Sequence, residues 1–252
     1  MLYPENYPLV CHFHPLRRCR NAAWASNKKI RIRITIKGNK YINCFYFGEA
    51  KIMTAINQVE TSIAPSKTKI HSDDPLAVAK FSWDFMLRLE QHGVKSTTPK
   101  ILLCIGTDRS TGDCLGPLIG TKISNIKQHF FTVYGTLDHP VHASNLQEKL
   151  KEVSHLYHKP FIIAIDACLG ELENIGCISL GNGSLQPGAG VNKALPPVGN
   201  IHITGTVNVG GFMEYVVLQN TRLNLVMRIA NIIAEGLSTA ISGYQKQTAQ
   251  GY

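Results

Sequence analysis

Two acidic residues stand where acids are costly. Asp166 ends the most apolar run in the chain, Phe161-Ile162-Ile163-Ala164-Ile165. Asp113 lies in a loop of small residues, Gly106-Thr107-Asp108-Arg109-Ser110-Thr111-Gly112-Asp113-Cys114-Leu115-Gly116-Pro117, just past a second apolar run, Ile101-Leu102-Leu103-Cys104-Ile105. A carboxylate in apolar surroundings costs on the order of several kcal/mol unless it is paired or hydrogen-bonded. Held side by side, two such acids can share a proton. One is then a base toward water and the other an acid toward a leaving amine. Spacing alone leaves a second reading open, in which Asp113 caps the helix starting at Leu115 and Asp166 caps a loop.

Other chemistry is weaker. The Gly-containing loop matches neither G-x-x-x-x-G-K-[ST] nor G-x-G-x-x-G, so a phosphate cradle has little support. Ser110 and Thr111 lack a G-x-S-x-G elbow and read as turn formers. Cys104, Cys168 and Cys177 lie in or beside apolar runs and read as core thiols. Cys114, at a helix start where a thiolate is favoured, is the thiol to control for. His139 and His142 flank Pro140 at a spacing that can ligate a metal, but loop or capping histidines fit as well. His202 reads as a strand histidine.

These residues need a scaffold. Residues 101–106 and 161–166 read as buried strands of a parallel sheet. Residues 131–136, 177–180 and 200–204 are further strands. Asp74-Pro75 opens a helix over 76–91 that Gly93 ends. A helix is expected over 115–125. Another follows a capping box at Ser144-x-x-Gln147, with Leu146, Leu150, Val153 and Tyr157 at helical spacing. Gly210-Gly211 precedes a short helix through Leu218, and Thr221 caps a last one with Val226, Ile229, Ala230, Ile233 and Leu237 inward. A Gly/Pro-rich loop spans 186–199. Alternating strands and helices imply a mostly parallel sheet covered on both faces. Sites in such sheets lie beyond the carboxyl ends of the strands, where both acids fall.

The chain has 252 residues, 44% hydrophobic and 17% charged, which excludes wholesale disorder. Its net charge of +9 points first to nucleic acid or a membrane surface. Residues 1–52, however, hold ten basic residues against two acids and carry +8 of it. No nucleic-acid motif accompanies that charge, so nucleic acid is not the expected partner. No run of about 18 apolar residues suggests a membrane span, and the first twenty residues lack the apolar core of a secretory signal. Seven cysteines without a C-x-x-C pair suggest reduced thiols in a cytoplasmic protein. The expected organisation is a basic extension over 1–52, with alternation over 30–37 suggesting a hairpin, or Met53 as the true start. A loose linker over 53–72, one α/β domain over 73–242 and a tail over 243–252 follow. Sequence says nothing of oligomeric state.

Five segments strongly resemble the YyaC-type sporulation proteins, described as spore proteases: residues 107–113, Tyr134-Gly135-Thr136, residues 164–170, Pro187-Gly188-Ala189-Gly190-Val191 and Asn220-Thr221-Arg222. The resemblance covers roughly residues 70–240 by motif order. That family is similar to the germination proteases of spore-formers and, more distantly, to the hydrogenase maturation endopeptidases. It implies a three-layer α/β/α fold, phosphorylase/hydrolase-like, with a mostly parallel sheet. An Asp-x-Leu-Gly-Pro motif is matched by Asp113 to Pro117 and an Ile-Asp-Ala motif by Ile165-Asp166-Ala167. The resemblance thus makes Asp113 and Asp166 catalytic. Asp108, Arg109, Gly188 and Gly190 become substrate-binding residues, and a protein or peptide of the forespore or spore, such as small spore proteins, becomes the substrate. The histidine that binds nickel in the maturation endopeptidases would fall near residues 206–208, where this sequence has none and His202 is out of place. No metal and no cofactor are therefore expected. A non-catalytic sporulation factor using the same cleft to bind a peptide is the rival reading.

Overall fold

The computed structural model describes residues 30–36, 40–46, 64–126, 128–187 and 195–250, with side chains over 64–126, 128–187 and 195–244. The substrate-binding candidates Gly188 and Gly190 lie outside the described residues. The chain divides into two compact units, Met1–Thr61 and Ser62–Tyr252. In the first, β1 (Ile30–Ile36) and β2 (Lys40–Tyr46) pair antiparallel, from Ile30 opposite Tyr46 to Ile36 opposite Lys40.

The second unit is built on a six-stranded sheet. In chain order its elements are β3 (Lys67–His71), α1 (Ala77–Gln91), β4 (Lys100–Cys104), α2 (Leu115–Ser124), β5 (Thr132–Tyr134), α3 (Leu146–Leu156), β6 (Phe161–Gly170), β7 (Cys177–Asn182), β8 (Ile201–Val209), α4 (Glu214–Gln219) and α5 (Leu223–Gln250). The spatial order is β3-β7-β8-β6-β4-β5. Strands β8, β6, β4 and β5 run parallel, while β7 and β3 form an antiparallel wing. The fold is α/β with a mixed sheet whose larger part is parallel.

Strand alternation sorts side chains to two faces. Leu102, Cys104, Ile163, Ile165, Ile178 and Ile203 turn toward the stripes of α1, α2 and α5, including Phe81, Ile119 and Ile233, and make the main core. Leu103, Ile105 and Ala164 turn the other way, against Leu146 of α3 and Leu185, Leu195 and Val198 of the long loop. Helix α5 is long and apolar enough over Leu223–Tyr244 to cross a membrane by length and composition alone. Its apolar stripe is spent on this core.

Several boundaries differ from the sequence reading. Residues 67–71, read as part of a loose linker, form edge strand β3, because Ile70 enters the core and Thr68 binds Asp84. Residues 243–250, read as a tail, continue α5. Asp74 does not cap α1 directly: it accepts from the Leu76 amide at 2.8 Å, and Leu76 precedes the first turn. The box at Ser144 is not formed. Asn145 sits at the cap, its side chain bound back to His142 and Pro140. Gly93 ends α1 at φ +60°, with Val94 donating to Leu89.

A buried ion pair ties the antiparallel wing to α1. The Arg88 guanidinium is fully buried, with Nε 2.7 Å from Asp84 Oδ2. It also donates to Asn182 of β7, Thr68 of β3 and the Pro65 carbonyl. Removing one partner strands a buried charge. Asp84→Ala is expected to cost about 3–5 kcal/mol in urea unfolding, and Asp84→Leu with Arg88→Met clearly less.

Candidate active site

The site forms where β4 ends beside the middle of β6, which does not stop at Asp166 as the sequence suggested but runs on to Gly170, paired with β8. Cys104 pairs with Ile165, and the Ile105 amide donates to the Ile165 carbonyl at 2.7 Å. The next residue on β6 is Asp166, paired with Thr204 of β8. Beyond Ile105 the chain makes the loop that holds Asp113 and enters α2.

That loop is fixed by backbone contacts. Gly106 has φ +145°, and a Cβ there would lie 1.9 Å from the Asp113 carbonyl oxygen. A Cβ on Gly116, in the first turn of α2, would lie 2.0 Å from the Ile105 carbonyl oxygen. The helix backbone thus rests directly on the end of β4, and only hydrogen fits between them. The Thr107 amide donates to Asp113, the Cys114 amide to Ser110 and the Gly112 amide to Leu218 at the end of α4. Helix α4 therefore buttresses the loop.

Asp113 and Asp166 are brought together. Burial and then the neighbouring Asp113 charge push the Asp166 carboxyl well above the usual range, against one hydrogen bond from the Ala167 amide at 2.9 Å. Burial also raises Asp113, opposed by the adjacent Ser110 hydroxyl. Both are half-buried. Two like charges in one poorly solvated place cannot both ionise freely, and the larger rise falls on Asp166. The capping reading fails for Asp113, since Cys114 occupies the cap of α2 and no side chain caps it.

The other candidates separate. Asp108 and Arg109 are exposed at the outer turn of the same loop. Cys114 is buried and donates its thiol to Thr111. Burial and the charges of Asp113 and Asp108 raise its pKa, so the helix start does not make a thiolate. His139 and His142 close their loop: the Thr136 hydroxyl accepts from the His139 amide, and His142 Nδ1 accepts from Ser144. His202 Nδ1 lies 3.0 Å from the Gly183 carbonyl. The site offers two carboxylates, with Thr206 and Asn208 further along β8 opposite Cys168 and Leu169, and among the described residues no group of three His, Cys, Asp or Glu could hold a metal ion. That donor set does not fit a nickel centre. Two hollows of about 450 and 380 Å³ lie elsewhere, between α2 and α5 and at the amino ends of the strands.

Two features were missed in the sequence. One is the buttress from Leu218. The other is an apolar rim around the strand ends: Phe212 is 86% exposed, with Leu172, Met213 and Tyr215 also more than half exposed. Phe212 and Met213 follow Gly210-Gly211, whose glycines do signal a turn that lifts them off the sheet. Met213 is held at φ +52°.

Two results are expected. Burial and the Asp113 charge raise the native Asp166 carboxyl above its unfolded value, so between the two values the native state binds the proton more tightly than the unfolded chain. Stability therefore falls as pH climbs from the unfolded value toward the raised native value. Asp166→Asn should flatten this fall and stabilise the protein at pH 8 by about 1 kcal/mol or more, read by urea titration at pH 4 and 8. Gly116→Ala should destabilise by about 1–3 kcal/mol at both pH values.

Residues 69–236 match a family described as "Protein of unknown function (DUF1256)". Over 140 residues the chain is 59% identical to the "Uncharacterized protein YyaC" of Bacillus subtilis (strain 168), covering 56% of this chain and 68% of that one. This relative is the one the loop motifs resemble. The crystal structure of the NiFe hydrogenase maturation protease HycI from Thermococcus kodakarensis KOD1 aligns at 17% identity and a TM-score of 0.38, over 56% of this chain and 93% of that one, a likeness that carries no argument. The family match begins in β3, ends within α5 and takes in both acids, so the chain belongs to the DUF1256 family of proteins of unknown function.

Proposed function

We propose that the chain is a peptidase acting on proteins during sporulation or germination, in the cytoplasm of the forespore or spore, through water activated by Asp113 and Asp166. The observation that carries this reading is the placement of two half-buried carboxyls side by side, Asp166 within β6 and Asp113 in the loop after the neighbouring β4, close enough for one charge to act on the other. Their environments separate their roles as an acid and a base must be separated.

Asp113, the ionised partner, takes a proton from water, and the water oxygen adds to the scissile carbonyl carbon. Asp166 gives its proton to the leaving nitrogen as the C–N bond breaks. The products are a carboxyl and an amine. Backbone N–H groups of the glycine-containing loop are suited to the oxyanion. Asp108 and Arg109, exposed on the same loop, are placed to contact substrate, and Gly188 and Gly190 complete the proposed substrate set. The apolar rim suits an extended polypeptide with bulky side chains better than a small polar molecule. Small spore proteins are the proposed substrates.

Full-length protein is incubated with small spore proteins, and cleavage is followed by mass spectrometry. Asp113→Asn and Asp166→Asn should each lower kcat about 100-fold or more, and kcat/KM should give a bell-shaped pH profile. Undiminished cleavage by both variants contradicts the acid pair. Loss of cleavage in Cys114→Ser alone replaces it with a thiol mechanism. Peptide binding without turnover, unchanged in both Asn variants, favours a non-catalytic binding factor.

A further inference from the structure

A buried hydroxyl lies beside the acid pair, and no group of the scaffold holds it. Ser110 is 4% exposed, no hydrogen bond of normal geometry ties down its Oγ, and the group it acts on is the Asp113 carboxyl. Native folds leave few such groups, and each costs about 1–3 kcal/mol. The turn that holds it is helical, since the Cys114 amide donates to the Ser110 carbonyl. Residues three apart on such a turn share a face, so the hydroxyl and the Asp113 carboxyl are neighbours. The depth that keeps water from Oγ also keeps substrate from it, which removes Ser110 as a nucleophile.

The groups around the pair make the hydroxyl matter. Asp113 and Asp166 face each other from the loop and β6, and Asp108 and Cys114 adjoin them from the same loop. Helix α4 brings the Leu218 carbonyl, already bound to the Gly112 amide. None of these groups is a cation. The side-chain donor that acts on the Asp113 carboxyl is the Ser110 hydroxyl.

We propose that Ser110 is a positioning residue that decides which acid carries the proton: its hydroxyl turns its hydrogen onto the Asp113 carboxylate, leaving Asp113 ionised and Asp166 protonated. The inference rests on the two-carboxylate reading and adds the group that breaks the symmetry of the pair. A hydrogen bond to the charged form of an acid favours that form, and one from a buried donor without competing water is strong.

The test is a carboxyl ¹³C NMR titration of the full-length protein as parent, Ser110→Ala and Ser110→Thr. The lower titration step of the pair should move up by about half a pH unit or more in Ser110→Ala. It should stay at its parental pH in Ser110→Thr, which keeps the hydroxyl. If the alanine variant does not fold, Ser110→Cys, similar in shape but a weaker donor, carries the same expectation. An unmoved lower step in the folded alanine or cysteine variant overturns the proposal, and so does an equal movement in Ser110→Thr. The titration reads the carboxyls whether or not any peptide is cleaved. Failure of the peptidase reading and failure of this one are therefore told apart.

Discussion

The contact on which the site depends is backbone on backbone. Helix α2 begins directly against the end of β4, with Gly116 over the Ile105 carbonyl and Gly106 under that of Asp113. A side chain at either glycine would force the helix away from the strand. The approach sets how far the 107–114 loop rises above the sheet, and so brings Asp113 to the level of Asp166 on the neighbouring strand. Helix α4 then closes the loop from the other side, through the bond from the Gly112 amide to Leu218.

The same contact creates the electrostatic conflict. A loop held this low lets little water reach its acids, and β6 delivers Asp166 from within the apolar core. Burial raises both carboxyls, and their mutual repulsion raises Asp166 further. A single amide and a buried serine oppose this weakly, in contrast to Arg88 and Asp84, where full burial is met by a salt bridge and three further bonds. The Arg88 pair satisfies its charges and secures the antiparallel wing. The acid pair leaves its charges unsatisfied, the arrangement on which the proposed proton transfer rests.

Much of this was legible in the sequence, for physical reasons. β4 and β6 are buried on both faces and so read as unbroken apolar runs ending in chemistry. Asp166 stood out because packing cannot explain an acid there. Strand β3 was missed because its inward residues are only Thr68 and Ile70, with Lys67, Lys69 and His71 turned outward, too few contrasts for a period of two. β8 was read short because its second half loses the apolar run, with Gly205, Thr206 and Asn208 where it passes Ala167 to Leu169. Ser110 was passed over because a serine in a loop is ordinarily a turn former. Only the depth of the loop makes its hydroxyl unusual. The resemblance to YyaC-type proteins rested on residues 107–113, 134–136, 164–170, 187–191 and 220–222, and the family match over residues 69–236 covers all five segments.

The central claim is that Asp113 and Asp166 act as one coupled pair, and a double-mutant cycle tests it most directly. Unfolding free energies would be measured at pH 8 and pH 3 for parent, Asp113→Asn, Asp166→Asn and the double variant. At pH 8 either substitution alone relieves the repulsion, so the double variant should gain less than the sum of the singles by about 1 kcal/mol. At pH 3, where the carboxyls are largely protonated, the effects should approach additivity. Additivity at both pH values would contradict the account.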